Sequence, residues 1–310
     1  MADQRFMGGQ AVMEGVMMRG PHTWAVAVRN LDGEIELAVH DAPTWGQRWS
    51  KVPIVRGVMS LAESLSLGFK ALLWSAHRQL PEEERISEKA MGWTMAVSLV
   101  FFMAVFLVLP ALGTNALGDR LGVDGFAYHL LEGAIRLGIF LGYLVAIGFL
   151  PDIKRVFQYH GAEHKAIAAY ENDVEITPDV AQQFTTQHVR CGTNFLLTVM
   201  VTTIFVYSFV GRPSLPWLVA SRILLIPLIA GLAYEVIRFS ARHMDKRWVR
   251  AVMRPGLALQ RLTTREPSLD QLEVAIVSLR AAMTTEQLAE VESRTATAPA
   301  LLTPAFRGAL

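Results

Sequence analysis

Two histidines and a glutamate stand together at His160, Glu163 and His164 in the run H-G-A-E-H-K. His160 and His164 are four apart and Glu163 is three on from His160, so on a helix all three share one face. Two imidazoles at this spacing can hold one divalent metal, and a neighbouring carboxylate can take a proton from water activated by it. H-x-x-E-H is the inverted zinc-peptidase spacing. At this composition a chance match is on the order of one in a hundred, so the spacing needs a second line of support.

That support lies downstream. His188 and Cys191, the chain's only cysteine, are three apart. Turn signals separate the two pairs: Asn172-Asp173, then Thr177-Pro178-Asp179. If the flanking segments fold back as an αα-hairpin, the midpoint of His160 and Cys191 falls between residues 175 and 176, and that of His164 and His188 on 176. Both pairs then close on one turn, two side chains per helix at similar height. Imidazole mixed with thiolate suits zinc or iron better than magnesium, and zinc is the metal expected. Four protein ligands would make the site structural, whereas a catalytic site keeps one position open. The plainer reading has solvated histidines and a small buried cysteine that lets two helices approach.

The elements that must position these groups read as membrane elements. Of the 310 residues, 52% are apolar and only 18% charged, and the net charge of +1 implies no affinity for nucleic acid. A single cysteine precludes an internal disulfide, and the first ten residues lack the pattern of a secretory leader. Four apolar stretches, at 91–112, 130–150, 194–210 and 217–237, are each about 17 to 22 residues, enough for a hydrocarbon core of about 30 Å. Basic residues alternate across the loops. Segment 47–90 carries Arg48, Lys51, Arg56, Lys70, Arg78, Arg85 and Lys89, whereas 113–129 has only Arg120. Lys154, Arg155, Lys165 and Arg190 lie in the histidine segment, only Arg212 in 211–216, and six basic residues from Arg238 to Arg254 follow the last span. This positive-inside pattern puts both termini and the histidine hairpin in the cytoplasm.

Outside the spans, residues 1–47 form a small β-rich unit. A hairpin is expected from the β-prone runs 24–29 and 34–39 around Asn30-Leu31-Asp32-Gly33. Ahead of it, 11–20 carries Glu14, a candidate ligand or base, and Arg19, a candidate anion contact; the plainer reading makes both rim charges on a short strand. Residues 48–89 hold an amphipathic helix, for the membrane surface or the underside of the bundle. The spans hold a Glu132–Arg136 helical pair and Glu235, an intramembrane carboxylate whose height matches the histidines. Glu235 is thus a further candidate ligand or second base, the alternative being a partner for Arg238. Span region 90–238 includes the hairpin at 151–193. A cytoplasmic helical region at 239–294 follows, with Ser268 capping a helix that places Leu269, Leu272, Ile276 and Leu279 on one face. A disordered tail is expected at 295–310.

Four long motifs carry a family resemblance: G-G-Q-A-V-M-E-G-V-M-M-R-G, F-Q-Y-H-G-A-E-H-K, R-C-G-T-N-F and Q-R-L-T-T-R-E-P. Over residues 8 to about 283 the chain resembles the YqhQ-like family, bacterial membrane proteins of uncharacterised function sometimes labelled metal-dependent-enzyme-like. The resemblance implies a multi-span protein of the bacterial plasma (inner) membrane and no particular reaction. Where relatives have His-Pro-Arg-Cys, this chain has His188-Val189-Arg190-Cys191. The fold expected is mainly α: a four-span transmembrane bundle, an N-terminal β-hairpin unit, an interfacial helix and cytoplasmic helical extensions. The function expected is a metal-dependent hydrolase at the cytoplasmic membrane interface, acting on a membrane peptide or lipid headgroup. Its ligands would come from His160, His164, His188, Cys191 and Glu235, with Glu163, and Glu14 if it reaches the site, as acid–base groups. The rival is a non-enzymatic scaffold, assembly factor or small transporter, with a structural metal or none, working as a homo-oligomer or with a membrane partner.

Overall fold

A computed structural model describes residues 7–81, 87–211 and 214–297. The protein is mainly helical, with one four-stranded antiparallel sheet in the order β1-β2-β3-β4: β1 Gly8–Val12, β2 Gly15–Arg19, β3 Thr23–Arg29 and β4 Ile35–Asp41. The expected hairpin is β3–β4. Asn30 Oδ1 accepts the backbone N–H of Asp32 at 3.0 Å and of Glu34 at 2.9 Å, and Gly33 takes φ 84°. Stretch 11–20 is not one strand. It turns at Met13-Glu14, with Glu14 at φ 51°, and pairs β1 with β2. The turn lacks an Asn-Gly or Asp-Gly signal, and the Glu14 carbonyl is instead fixed by the N–H of Arg29 at 2.8 Å. A glycine is required just after it, because a Cβ on Gly15 would lie 2.1 Å from the Ala27 carbonyl oxygen.

Both faces of the sheet are covered, so β2 and β3 run almost continuously apolar rather than alternating. Val16, Met18, Ala25 and Ala27 pack with Tyr159, Ala162, Ala166, Leu272, Ile276 and Leu279 of helices α5 (Pro151–Glu171) and α11 (Leu269–Ala281). On the other face Val12, Met17, Val26 and Val28 meet Leu67 and Ala71 of α1 (Val55–Arg78). The capping box at Ser268 is present, but Leu269 is exposed rather than on the buried face.

Among the described residues three helices are long and apolar enough to cross a membrane, which suggests a membrane protein: Gly92–Gly118, Gly125–Ile147 (α4) and Gly192–Val210 (α7). The first joins α2 (Glu88–Met103) to α3 (Leu109–Leu121) through a π-turn at Ala104–Val108. The stretch at 217–237, expected to be one continuous span, is two helices, α8 (Leu215–Leu224) and α9 (Ile226–Arg242), bent by 44°. Pro227 explains the break, because it sits in the first turn of α9, lacks an N–H and crowds the preceding turn. Counted as one bent span, the pair brings the total to as many as four. Glu132 of α4 is the hub between these helices. It accepts Arg136 Nη2 at 2.7 Å and, unforeseen in the sequence, Arg222 Nη2 at 2.5 Å and Nε at 3.1 Å. Arg136 Nε also reaches the Phe106 carbonyl, in the π-turn, at 3.0 Å.

The histidine segment departs from a two-helix hairpin. α5 is its first arm and α6 (Pro178–Ala181) is a single turn, but the return path up to Cys191 is irregular until α7 begins. Q-Q-F-T-T-Q-H-V-R-C has no 3.6-residue apolar repeat to drive a helix. Helix α10 (Arg247–Thr263) packs against α7, and α12 runs to Thr297. The tail expected from 295 is thus helical at its start, and 298–310, the acidic run at 82–86 and Arg212 lie outside the described residues.

Candidate metal centre

His160 and His164 lie on one face of α5, their rings 4.4 Å apart between centroids. Cys191 is the N-cap of α7, and its Sγ lies 3.2 Å from His160 Nε2. One donor atom from each of His160, His164 and Cys191 falls within 4.8 Å of the others. The histidine tautomers follow from their other partners. His160 Nδ1 is 2.9 Å from the Thr263 carbonyl and His164 Nδ1 is 2.5 Å from the Thr186 carbonyl. A carbonyl only accepts, so each Nδ1 carries the proton and each Nε2 keeps its lone pair. Metal-binding histidines are habitually oriented in this way by a backbone acceptor. The donor set fits a soft divalent metal, and the three groups line a cavity of about 460 Å³ instead of being closed over by a fourth ligand.

The irregular arm is held by α10 rather than by a helix of its own. Fully buried Gln260 donates to the His188 carbonyl at 2.8 Å and accepts the His188 N–H at 2.8 Å. Asn194 Nδ2 donates to the Val189 carbonyl at 2.8 Å. Lys165, only 2% exposed, donates to the Gln182 carbonyl at 2.7 Å and pairs with Glu266 at 2.5 Å. Gly161 lets the linker after α10 pass close by, for a Cβ there would sit 2.1 Å from the Arg265 carbonyl oxygen. The Q-R-L-T-T-R-E-P motif is therefore the platform under the site: it supplies Gln260, the Thr263 carbonyl, Arg265 and Glu266.

Electrostatics distinguish the members. Burial drives the Glu163 carboxyl up to about 8, against the opposing pull of His160 and of an N–H from Ala11. Glu163 lies over Gly9, where a Cβ would come within 2.7 Å of its Cγ. Burial lowers His164, and it pushes the Cys191 thiol up, but its interaction with His164 and its bonds with Thr193 outweigh it and the thiol shifts down. Burial holds His188 neutral, at about 4. Its Nε2 lies 3.2 Å from Glu171, whose charge is shared with Arg190.

Of the residues singled out by sequence, five line this cavity: His160, Glu163, His164, His188 and Cys191. His188 stands beside His164, ring centroids 5.7 Å apart, but outside the three-donor cluster. Glu235 is not brought to the site. Arg56 of α1 takes it, with Nε donating at 2.7 Å, and the Ile54 N–H adds a bond at 3.2 Å. Its approach is set by Gly57 and Gly231, where a Cβ would strike Tyr234 and Ile54 respectively. Glu14 is ion-paired with Arg155 and 3.3 Å from the Tyr159 hydroxyl, and Arg19 pairs with Glu63 at 2.7 Å. Missed by sequence were Gly9, Gln260 and Thr263. All three belong to quoted motifs, which were the available signal.

Residues 52–285 match the family described as "Protein of unknown function (DUF1385)". The chain is also similar to "Uncharacterized protein YqhQ" of Bacillus subtilis (strain 168), 34% identical over 301 residues, covering 91% of this chain and 94% of the relative. No solved structure matches it.

Proposed function

The chain belongs to the DUF1385 family, and from its own residues we propose that it is a metal-dependent hydrolase of the bacterial plasma membrane. His160, His164 and Cys191 would hold a divalent metal, zinc by ligand type. The observation that carries this reading is the set of three convergent donors on the wall of a cavity, with both imidazoles oriented by backbone carbonyls. Three protein ligands and an open position are the arrangement of catalytic rather than structural zinc. When bound, zinc supplies Lewis-acid polarisation and a water of lowered pKa. Glu163 is placed to receive and return the proton, since a cation beside it favours its ionised form. His188 is neutral and donates to Glu171, which keeps that wall polar without adding charge.

The cavity faces the cytoplasm at the lipid boundary in this reading, with α8 and α9 forming one bent span and both termini inside. Support comes from the alternation of basic loops. Trp45, Trp49, Leu65 and Phe69, exposed around α1, would lie in the interface. The saturated contacts of Glu132 with two guanidiniums favour a packing role for the ionic hub over a transport path.

Two measurements test this. Purified protein is expected to contain close to one metal per chain by elemental analysis, retained in Glu163→Gln and lost in the His160→Ala, His164→Ala double variant. Metal-free protein with an intact fold ends the proposal. For orientation, cysteines introduced at Arg120 and Lys246 should label from opposite sides of intact cells, Arg120→Cys from outside; labelling from one side refutes the topology.

A further inference from the structure

The cavity runs along the open edge of β1, and we infer that this edge pairs with an extended peptide, so that the substrate class is a peptide rather than a lipid headgroup. What happens to the peptide rests on the hydrolase reading; its binding does not. β1 is the terminal strand of the sheet. Val12 pairs with Gly15 across a two-residue turn, and in an antiparallel ladder hydrogen-bonded and non-hydrogen-bonded pairs alternate. Gly8, Gln10 and Val12 therefore turn their N–H and C=O toward β2, whereas Gly9 and Ala11 turn theirs outward.

Two independent contacts fix the same phase. The Arg29 N–H bonds to the Glu14 carbonyl, which commits Val16 and Met18 to β3 and leaves Gly15, Met17 and Arg19 for β1. The Ala11 N–H reaches the Glu163 carboxylate, as an outward amide must. The N–H and C=O of Gly9 are left directed outward, and no hydrogen bond holds either among the described residues.

The cavity is lined by five consecutive residues, 7 to 11. A strand presents every second residue on a face, so consecutive lining means the cavity follows the strand's edge. Gly8 and Gly9 put no side chain in the way, and nothing lies within 4 Å of where a Gly8 Cβ would be. Strand addition draws its affinity from such main-chain groups. A peptide bond paired with Gly9 would lie beside Glu163, which sits 2.8 Å from the position of the absent Gly9 Cβ. An anionic headgroup calls for cationic side chains; of these, among the described residues, only Arg190 lines the cavity, and it is engaged by Glu171.

The test is an N-methyl scan on detergent-solubilised full-length protein. The probe is an acetyl-capped, amidated hexapeptide of alternating valine and threonine, followed by fluorescence anisotropy. Methylation at every second amide is expected to weaken binding by about tenfold, the worth of one hydrogen bond, and the intervening positions to change nothing. In parallel, hydrogen exchange at the Gly9 amide should slow on peptide addition by about tenfold or more, while Gln10, already bonded within the sheet, stays unchanged. Absence of saturable binding, a scan without alternation, or saturation by glycerol 1-phosphate in place of peptide overturns the inference. Metal content of the same sample separates the two proposals. Alternation in metal-free protein keeps the peptide site and removes the hydrolase, whereas metal-loaded protein without alternation removes the peptide site alone.

Discussion

Glu163 concentrates the chemistry of the site in one proton. Its carboxyl is raised from 4.5 to about 8 by burial, so the folded, metal-free protein binds a proton that the unfolded chain releases near 4.5. Stability from this group is full below the unfolded value and is lost as pH rises through about 8. Thermal melts of chelator-stripped protein should therefore show wild type falling steadily behind Glu163→Gln as pH increases across that window. Parallel melting curves would mean that the carboxylate is solvated. Loading with zinc should abolish the difference, because the cation favours the ionised carboxylate. The same residue scale explains why Glu235 is no ligand. A charge near lipid takes the first cation within reach, and α1 delivers Arg56.

At the scale of elements, the site is a helix facing a loop, and the loop has no regular hydrogen bonds to hold it. At His188 both backbone groups bond to one side chain of α10, Gln260. Gln260→Ala would leave the part-buried N–H of His188 unpaired, at about 1–3 kcal/mol, and leave its C=O with the Cys191 N–H alone. Metal affinity should fall about 10- to 100-fold, the usual loss when an outer-shell partner is removed. Competition titrations against a zinc chelator would measure this. Unchanged affinity would show that Cys191 is held by its place at the start of α7 alone. Helix α5 and its pair of histidines were legible because the relation is local. The return arm was misjudged as a helix because turn signals report where a chain reverses, not what conformation it returns in. The nearly equal midpoints nevertheless set His160 near Cys191 and His164 near His188, as their contacts do, since pairing across a reversal depends mainly on distance from the turn.

In the whole molecule the ionic hub at Glu132 ties α4 to α8 and, through Arg136, to the π-turn between α2 and α3. Removing the carboxylate strands two buried guanidiniums. Glu132→Gln is expected to destabilise the protein by about 3–5 kcal/mol, read as a lowered unfolding midpoint in detergent, and Arg222→Met added to it should recover part of the loss. Full additivity of the two would mean that the groups do not interact. The sequence pointed to Glu132 and Arg136 because four residues on a helix bring them together. Arg222 was overlooked because ninety positions of chain lie between it and Glu132.

The four apolar stretches, the alternating basic loops, the β3–β4 turn and the His160–His164 face follow from the order of residues, because each depends on neighbours within a few positions or on transfer between water and lipid. Only the folded chain decided which carboxylate would stand beside the imidazoles, which carbonyls would set their tautomers, and which strand edge would be left open along the cavity. Those choices join residues 9, 163, 191 and 263, and a charge or an unpaired amide settles with whatever partner packing brings to it.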